Sequence, residues 1–264
     1  MKLWVMSDLH GEVSALDVRI PEPWPDHDVV VLAGDINSPP SRAIEWAADT
    51  FRKPIIYVAG NHEFYGFTIL DEIERAQKAA ARHRVHFLEK DSVRIGYVSF
   101  FGCTLWSDFA LQGDSLVSHA MVAAKRDLKD FQQITYSLEP GRHGAIPTRF
   151  NAMHSRAMAT QSRLWLKDVL PRHDEPVGTG KVVVVTHNAP HARSIPERFE
   201  RSLTNAWFTN DMSDVIQDRR VDLWLHGHIH NTSDYMLGDT RVVENSRGYG
   251  DGVPGFDPHK VIEI

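Results

Sequence analysis

Five short clusters of Asp, Asn and His side chains could do chemistry in this chain of 264 residues. They are Asp8-Leu9-His10, Gly34-Asp35, Gly60-Asn61-His62-Glu63, His187-Asn188 and Gly227-His228-Ile229-His230. Carboxylate, carboxamide and imidazole groups are borderline to hard ligands, and this mixture suits Mn²⁺, Fe or Zn²⁺. The clusters therefore predict a metal centre.

The size of the ligand set indicates more than one ion. A tetrahedral zinc needs about four ligands, whereas two metals about 3.5–4 Å apart that share a carboxylate would use the whole set. We expect a binuclear centre of two divalent transition-metal ions. Its ligands are expected to come from the five clusters.

Each cluster alone also has an ordinary structural explanation. A buried histidine more often satisfies a local hydrogen bond than binds a metal. Asn61 is a common turn residue, and Gly34-Asp35 would pass as a turn or a helix cap. The joint occurrence of all five clusters, each directly after an apolar run, favours the metal centre.

The apolar runs are typical of buried strands. They span residues 3–6, 29–33, 55–59, 182–186 and 223–225. Runs that are apolar on almost every residue are typical of a parallel sheet covered on both faces. Ligands of open α/β sheets bind beyond the carboxyl ends of the strands, so five loops would bring the clusters to one edge.

The rest of the chain predicts helices and antiparallel strands around this sheet. One amphipathic helix is expected to start with Ser41 as N-cap, and another to run from Thr68. Further helices are expected to span 116–131 and 151–170. Antiparallel strands are expected over 93–105 and in a hairpin over 234–243 that turns at Gly238-Asp239. Residues 139–147 contain two prolines and two glycines and are expected to be irregular.

We expect one domain over residues 1–264, with residues 108–150 (the insertion) lying over the sheet. The insertion lies outside the metal pattern, so we expect it to shape specificity while the metal ligands stay independent of it.

In chain order, the clusters resemble the pattern of the calcineurin-like metallophosphoesterases: Asp-X-His, Gly-Asp, Gly-Asn-His-(Asp/Glu), His, and Gly-His-X-His. The resemblance extends from Asp8 to His230. It implies a four-layered α/β/β/α sandwich and a metal-dependent hydrolase of phosphate esters.

The resemblance also implies a role for each residue. One metal would be held by Asp8, His10, Asp35 and His230, and the other by Asp35, Asn61, His187 and His228, with Asp35 as the bridge. A hydroxide bridging the metals would attack phosphorus, and His62 would be the general acid. A hydrogen bond that His62 donates to Asp35 could orient it.

The charge expected at the metal centre favours a small-molecule phosphodiesterase among the possible functions. Two divalent metals, less two carboxylates and one hydroxide, leave a charge of about +1, which matches a phosphodiester anion. A phosphomonoesterase or nucleotide phosphatase stays open if Arg149, Arg193 or Arg247 reaches the cleft. A non-catalytic interaction scaffold is a third hypothesis, although such scaffolds typically lose residues that this chain keeps.

Composition limits the classes of molecule that this protein is expected to bind. The net charge of −6 and the lack of a long Lys/Arg block argue against nucleic acid, so we expect a small phosphate ester as substrate. No apolar run approaches the roughly 18 residues that cross a bilayer, and no signal sequence is recognisable, so we expect no membrane association and a cytoplasmic location. The sequence leaves the oligomeric state open.

Several residues outside the pattern also carry predictions. Cys103 lies in an apolar stretch and is expected to be a buried, inert thiol. His226 is expected to pack at a strand end, and Arg247 and Tyr249 are candidates for substrate contact. The aromatic residues near the clusters, Phe64, Tyr65 and Trp106, fit either the core or a cleft wall.

Overall fold

The computed structural model describes residues 1–13, 20–141, 144–175, 180–199, 202–250 and 253–264. Within these residues the chain forms thirteen strands and seven α-helices. The strands are β1 (Lys2–Met6), β2 (Val29–Ala33), β3 (Ile55–Val58), β4 (Val85–Phe87), β5 (Asp91–Ile95), β6 (Val98–Cys103), β7 (Thr135–Gly141), β8 (Gly144–Arg149), β9 (Lys181–Thr186), β10 (Leu223–His226), β11 (Thr232–Leu237), β12 (Thr240–Asn245) and β13 (Val261–Glu263). The helices are α1 (Pro40–Thr50), α2 (Ile69–Ala80), α3 (Val117–Asp127), α4 (Asp130–Gln133), α5 (Ala152–Val169), α6 (Asn205–Phe208) and α7 (Ser213–Asp218). None of the helices in these ranges has the length and apolar character needed to cross a bilayer.

Two sheets form the centre of the fold. In the first sheet, β1 to β4 lie side by side in parallel, and β13 pairs antiparallel with β1. The second sheet has the order β11-β12-β10-β9-β6-β5, with four parallel inner strands and antiparallel strands at both edges.

The five strands expected from apolar runs are present, but they are divided between the two sheets. The first three, β1, β2 and β3, belong to the first sheet, whereas β9 and β10 belong to the second. An apolar run shows that both faces of a strand are covered, but it does not show which strands are neighbours.

The sheets pack face to face, and helices cover both outer faces. Side chains of alternate residues from both sheets form the central core, which includes Leu3, Val31, Ile56, Phe100, Val183, Leu225 and Val243. The other face of the first sheet packs against α1 and α2, through residues that include Trp4, Leu32, Ile44 and Ala76. The other face of the second sheet packs against α5 and α7, through residues that include Val184, Trp224, Leu166 and Ile216. The predicted α/β/β/α sandwich is confirmed.

Two predicted helices differ in detail. Helix α1 begins at Pro40 with Pro39 as N-cap and no side-chain cap hydrogen bond, so Ser41 is not the cap. Proline suits the first turn because the amide proton that it lacks has no partner within the helix. The helix expected over 116–131 is broken: α3 ends at Asp127 and α4 starts at Asp130.

The expectation of irregular structure over 139–147 is wrong for the residues that the structure describes. Strands β7 and β8 form a two-stranded hairpin in which Pro147 lies opposite Leu138 and Pro140 opposite Ala145. Residues 142 and 143 lie outside the described residues. Both strands of an isolated hairpin are edge strands, so a proline whose nitrogen faces outward removes no ladder hydrogen bond.

Other local predictions are confirmed. Helix α2 begins directly after Thr68, and α5 spans most of the helix expected over 151–170. The side chain of Asn151 caps α5 by accepting from the backbone N–H groups of Met153 and His154. Strands β11 and β12 form the hairpin expected around Gly238.

Candidate metal centre

The carboxyl ends of strands from both sheets meet at one edge of the sandwich. Asp8 follows β1, Asp35 follows β2, Asn61 follows β3, His187 follows β9 and His228 follows β10. Beside them, Ser7 forms an isolated parallel bridge with Ser246 at the end of β12. The Asn245 side chain donates to the backbone oxygen of Val5 at 2.8 Å. These bonds tie the first sheet to the second at the edge where the five clusters lie.

The backbone at this edge is strained. Five of the seven predicted ligands have positive φ angles, with 54° at Asp8, 49° at His10, 54° at Asp35, 73° at His228 and 52° at His230. Each such angle on a residue other than glycine costs about 1–2 kcal/mol. Strain of this kind concentrates where the structure must aim side chains at a functional site.

Asp8, His10, Asp35 and His230 form a first group whose potential ligand atoms all lie within 4.8 Å of one another. His230 Nε2 lies 3.3 Å from Asp8 Oδ1 and 2.9 Å from His10 Nε2. His10 Nε2 lies 3.9 Å from Asp35 Oδ2. These nitrogen and oxygen atoms therefore converge on one point.

Asp35, His187 and His228 form a second group with ligand atoms within 4.8 Å of one another. His187 Nε2 lies 3.4 Å from Asp35 Oδ2, 3.1 Å from His228 Nδ1 and 3.2 Å from Asn61 Oδ1. Because His187 Nδ1 donates to the backbone oxygen of Ala33 at 2.9 Å, its Nε2 is free to face the group. Asp35 belongs to both groups.

Glycines make this close approach possible. A Cβ atom on Gly60 would overlap Asp35 Oδ1 and lie 2.7 Å from His187 Nε2. A Cβ atom on Gly227 would lie 2.5 Å from Asp8 Oδ2. The glycines of the motif are required because any side chain there would occupy the space of a candidate ligand.

Asp35 and His228 are in the forms that bind cations, whereas His187 carries a proton in the absence of metal. Burial opposes ionisation of Asp35, but His187 and His62 hold the pKa of its carboxyl well below its usual value. Burial and the neighbouring His187 lower the pKa of His228, so this ring is neutral at pH 7. Burial lowers the pKa of His187, but the Asp35 carboxylate outweighs this effect and raises the pKa to about 10. A metal that binds His187 must therefore displace a proton.

His62 lies beside the two groups, and its ring is held by Glu12. His62 Nδ1 lies 3.0 Å from Glu12 Oε1, and the same oxygen lies 3.0 Å from His10 Nδ1. Asp35 Oδ1 accepts from the backbone N–H of His62 at 2.9 Å. The expectation that Asp35 orients the His62 ring is therefore wrong: Asp35 holds the backbone, and Glu12 holds the ring.

The other ring nitrogen of His62 faces Tyr249. The Tyr249 hydroxyl lies 3.0 Å from His62 Nε2, and the Tyr249 ring stacks on His10 with the centroids 4.3 Å apart. The Tyr65 ring stacks on the His62 ring with the centroids 4.2 Å apart. Of the two candidates for substrate contact near the C-terminus, Tyr249 thus reaches the candidate site.

A cleft of about 840 Å³ opens over both groups. Its aromatic walls are Tyr65, Trp207, Phe208 and Tyr249. The insertion contributes Asp127, Leu128, Lys129, Asp130 and Gln133 to the lining. Phe64 and Trp106, by contrast, are buried in the core.

The arginines that sequence reasoning left open do not line this cleft in the part of the chain that the structure describes. Arg149 donates to the backbone oxygen of Gln132, and Arg193 to that of Met236. Arg247 donates to the backbone oxygen of Leu9 at 2.9 Å and so supports the loop between Asp8 and His10.

The predictions for His226 and Cys103 are confirmed. His226 is fully buried, with Nε2 2.9 Å from Ser194 Oγ, and burial lowers its pKa to about 4. Cys103 is also fully buried, and burial raises its pKa to about 12, so the thiol stays protonated at neutral pH.

Sequence reasoning missed Glu12, Asp130, Trp207 and Phe208. Glu12 continues the alternation of Asp8 and His10, and this spacing could have indicated it. Nothing in the local sequence singles out Asp130 or the pair of aromatic residues.

Comparisons with known proteins agree with this geometry. A family model described as calcineurin-like phosphoesterase matches residues 1–232. An uncharacterized protein of Acanthamoeba polyphaga mimivirus is 24% identical over 254 residues, which cover 89% of this chain and 83% of that protein. The crystal structure of a phosphopantetheinyl hydrolase from Mycobacterium tuberculosis matches with a TM-score of 0.66 and 17% identity, over 94% of this chain and 89% of the other. The likeness to that structure shows a shared fold.

Proposed function

Since this chain belongs to the calcineurin-like phosphoesterase family of metal-dependent phosphoester hydrolases, we propose that it is a small-molecule phosphodiesterase with a binuclear metal centre. The position of Asp35 carries the proposal, because its carboxylate belongs to both groups of candidate ligands. A bridging carboxylate is what two adjacent cations require.

The residues fit two divalent ions such as Mn²⁺, Fe²⁺ or Zn²⁺. One ion would be held by Asp8, His10, Asp35 and His230, and the other by Asp35, Asn61, His187 and His228. His10 Nε2 and His230 Nε2 face each other instead of backbone acceptors, which is the arrangement that a shared cation stabilises. When bound, the ions would supply Lewis acidity that neutralises charge on the phosphoryl oxygens and makes water more acidic.

His62 supplies the proton for the leaving group in this proposal. In the metal-free protein burial disfavours the charged ring, but Asp35 and Glu12 raise its pKa to about 9. The Glu12 contact would help the ring to keep a proton beside bound ions. Because Glu12 engages Nδ1, Nε2 is the atom that faces the cleft. From there His62 can donate to the oxygen of a departing alcohol.

The charge of the cleft favours a diester as substrate. Its lining contains the carboxylates of Glu12, Asp35, Asp127 and Asp130, against the ammonium group of Lys129. A phosphodiester brings one negative charge, whereas a phosphomonoester dianion brings about two and needs further cations such as bidentate arginines. The aromatic residues of the lining can contact the two organic groups that a diester carries.

Lys129 favours one alternative, a phosphomonoesterase or nucleotide phosphatase on the same centre. Its ammonium group could pair with a second charge on the phosphate. The cytoplasmic location and the exclusion of nucleic acid stay predictions from the sequence.

The test compares kcat/KM for bis-p-nitrophenyl phosphate and p-nitrophenyl phosphate, with the same metal and pH and after correction for intrinsic reactivity. We expect a clear preference for the diester and two ions per chain by metal analysis.

Asp35→Asn should weaken the binding of both ions, and His230→Ala should weaken the binding of mainly one, because only Asp35 belongs to both groups. A preference for the monoester would contradict the charge argument, and one ion per chain with full activity would contradict the binuclear centre. A phosphopantetheinyl substrate belongs in a wider screen, because the M. tuberculosis protein that shares this fold is a phosphopantetheinyl hydrolase.

A further inference from the structure

A buried carboxylate of the insertion touches the candidate metal centre. Asp130, the first residue of α4, is 3% exposed. Its Oδ1 accepts a hydrogen bond from Asn61 Nδ2 at 2.6 Å. The two residues are 69 positions apart in the chain, and Asp130 lies outside the five clusters of the family motif.

Helix α4 is fixed where this contact needs it. The backbone N–H of Gly66, shortly after Asn61, donates to the Gln133 oxygen at 2.9 Å, and the N–H of Thr135 donates to the Phe67 oxygen at 3.0 Å. Phe131, the residue after Asp130, packs at 5.1 Å between ring centroids against Trp207. The C-terminal end of α4 is thus attached to the segment that follows Asn61, and its N-terminal half packs against Trp207.

The contact determines which end of the Asn61 amide faces the second group. Because Asp130 Oδ1 accepts this bond, the contact uses the NH₂ end of the amide. The carbonyl end is then turned toward His187, whose Nε2 lies 3.2 Å from Asn61 Oδ1. The opposite orientation would present N–H groups to a cation, which repel it.

We propose that Asp130 is a positioning residue that holds the Asn61 carboxamide with its oxygen toward the second ion. The proposal rests on the binuclear centre proposed above. The bond also draws electron density toward the Asn61 oxygen, as carboxylates that accept from metal ligands do elsewhere. The insertion therefore has two tasks, since it lines the cleft and also supports a metal ligand. In this proposal the metal ligands depend on the insertion, contrary to the expectation from the sequence.

Metal binding tests the proposal without reference to activity. Co²⁺ titration followed by visible absorption, together with equilibrium dialysis, gives the number of ions bound and the affinity of each. Asp130→Ala should lower the affinity for one of the two ions by about 10–100-fold and leave the affinity for the other nearly unchanged. Asp130→Asn should fall between this variant and the wild type, because its carbonyl oxygen can still accept from Asn61.

Two controls separate positioning from folding. Asp127→Ala removes another carboxylate of the cleft lining, whose side chain pairs with Arg126 instead of Asn61, and should leave both affinities unchanged. In an Asn61→Ala background, Asp130→Ala should cause no further loss of Co²⁺ affinity, because a residue that acts through Asn61 has nothing left to position.

Wild-type affinity for both ions in Asp130→Ala would overturn the proposal. An equal loss of affinity in the Asn61→Ala background would do so as well. If Asp130→Ala does not fold, the same comparisons are made with Asp130→Asn. A wild-type chain that binds no Co²⁺ would overturn the binuclear centre and this inference together, whereas two ions in the wild type with an unaffected variant would overturn the inference alone.

Discussion

A single carboxylate, Glu12, supports two histidines that have different proposed tasks. Its Oε1 lies 3.0 Å from His10 Nδ1 and 3.0 Å from His62 Nδ1. When both rings donate through Nδ1, His10 presents Nε2 to the first group and His62 presents Nε2 to the cleft. These hydrogen bonds also explain why His10, Glu12 and His62 lie close enough together to resemble a third group of ligands.

His62→Ala should separate proton donation from metal binding. We expect both ions to be retained and kcat to fall by about 10²–10⁴-fold for esters with alkyl leaving groups, the range for a positioned proton donor. The loss should be much smaller for p-nitrophenyl esters, because p-nitrophenolate leaves without being protonated. The measurement is kcat for matched alkyl and aryl diesters, with metal content as the control. Equal losses for both ester types would show that His62 acts by position or charge alone.

The candidate ligands could be predicted from the sequence because each follows an apolar run within a few residues. Asp35 and His187 are examples, since local patterns place them at strand ends. The roles of Glu12 and Asp130 could not be predicted in this way, because what they do depends on contacts with His62 and Asn61, from other segments. Sequence patterns indicate what lies at a strand end, but not which distant side chain meets it.

At the scale of elements, the turns after the strands decide whether the ligands can meet. The five strands of the apolar runs and the helices α2 and α5 could be predicted because their apolar patterns are local properties. The hairpin of β7 and β8 could not, because its prolines are acceptable only in edge strands, and edge status is a property of the whole fold. The division of the five strands between two sheets could not be predicted either, because strand pairing is also a property of the whole fold.

Gly60→Ala tests the turn after β3. Its Cβ atom would overlap Asp35 Oδ1 and crowd His187, so we expect both ions to bind at least about 10-fold more weakly. Gly66→Ala is the matched control: its Cβ atom would meet no atom within 4 Å, although its φ of +82° implies a cost of about 1–2 kcal/mol. Equilibrium dialysis with Mn²⁺ should show normal binding in the control, with a lower Tm. Normal Mn²⁺ binding in Gly60→Ala would mean that the turn can move without disturbing Asp35.

At the scale of the whole molecule, the stability of the fold depends on the charges at the edge where the two sheets meet. Asp8 and Asp35 are almost completely buried there, and histidines from the second sheet lie against them. Protons on these histidines, or metal ions in their place, must offset the buried negative charge. The link between the sheets near the site should therefore respond to pH when metal is absent.

The sign of this response follows from the pKa directions. Burial opposes the charged rings, but Asp35 raises the pKa of His187 to about 10, and Asp35 with Glu12 raises that of His62 to about 9. Groups with a raised pKa stabilise the fold fully below about pH 6.5, the value in the unfolded chain, and lose this contribution as pH rises through the folded value. His226 and His228, whose pKa values are lowered, act in the opposite sense only below about pH 6.5.

Between pH 7 and pH 9 the metal-free protein should therefore lose stability, by up to about 1.4 kcal/mol per pH unit for each ring that stays protonated only in the folded state. A protein loaded with stoichiometric Zn²⁺ has already exchanged the His187 proton for metal, so its stability should change less. The difference in Tm between loaded and metal-free protein should consequently grow from pH 7 to pH 9 in calorimetry. His62→Ala should reduce the pH dependence of the metal-free protein while keeping the response to Zn²⁺, because His62 holds a proton in the fold without belonging to either proposed ligand set. A Tm difference that is constant over this range would show that the buried carboxylates do not depend on histidine protons, and that the sheets hold their edge together by other contacts.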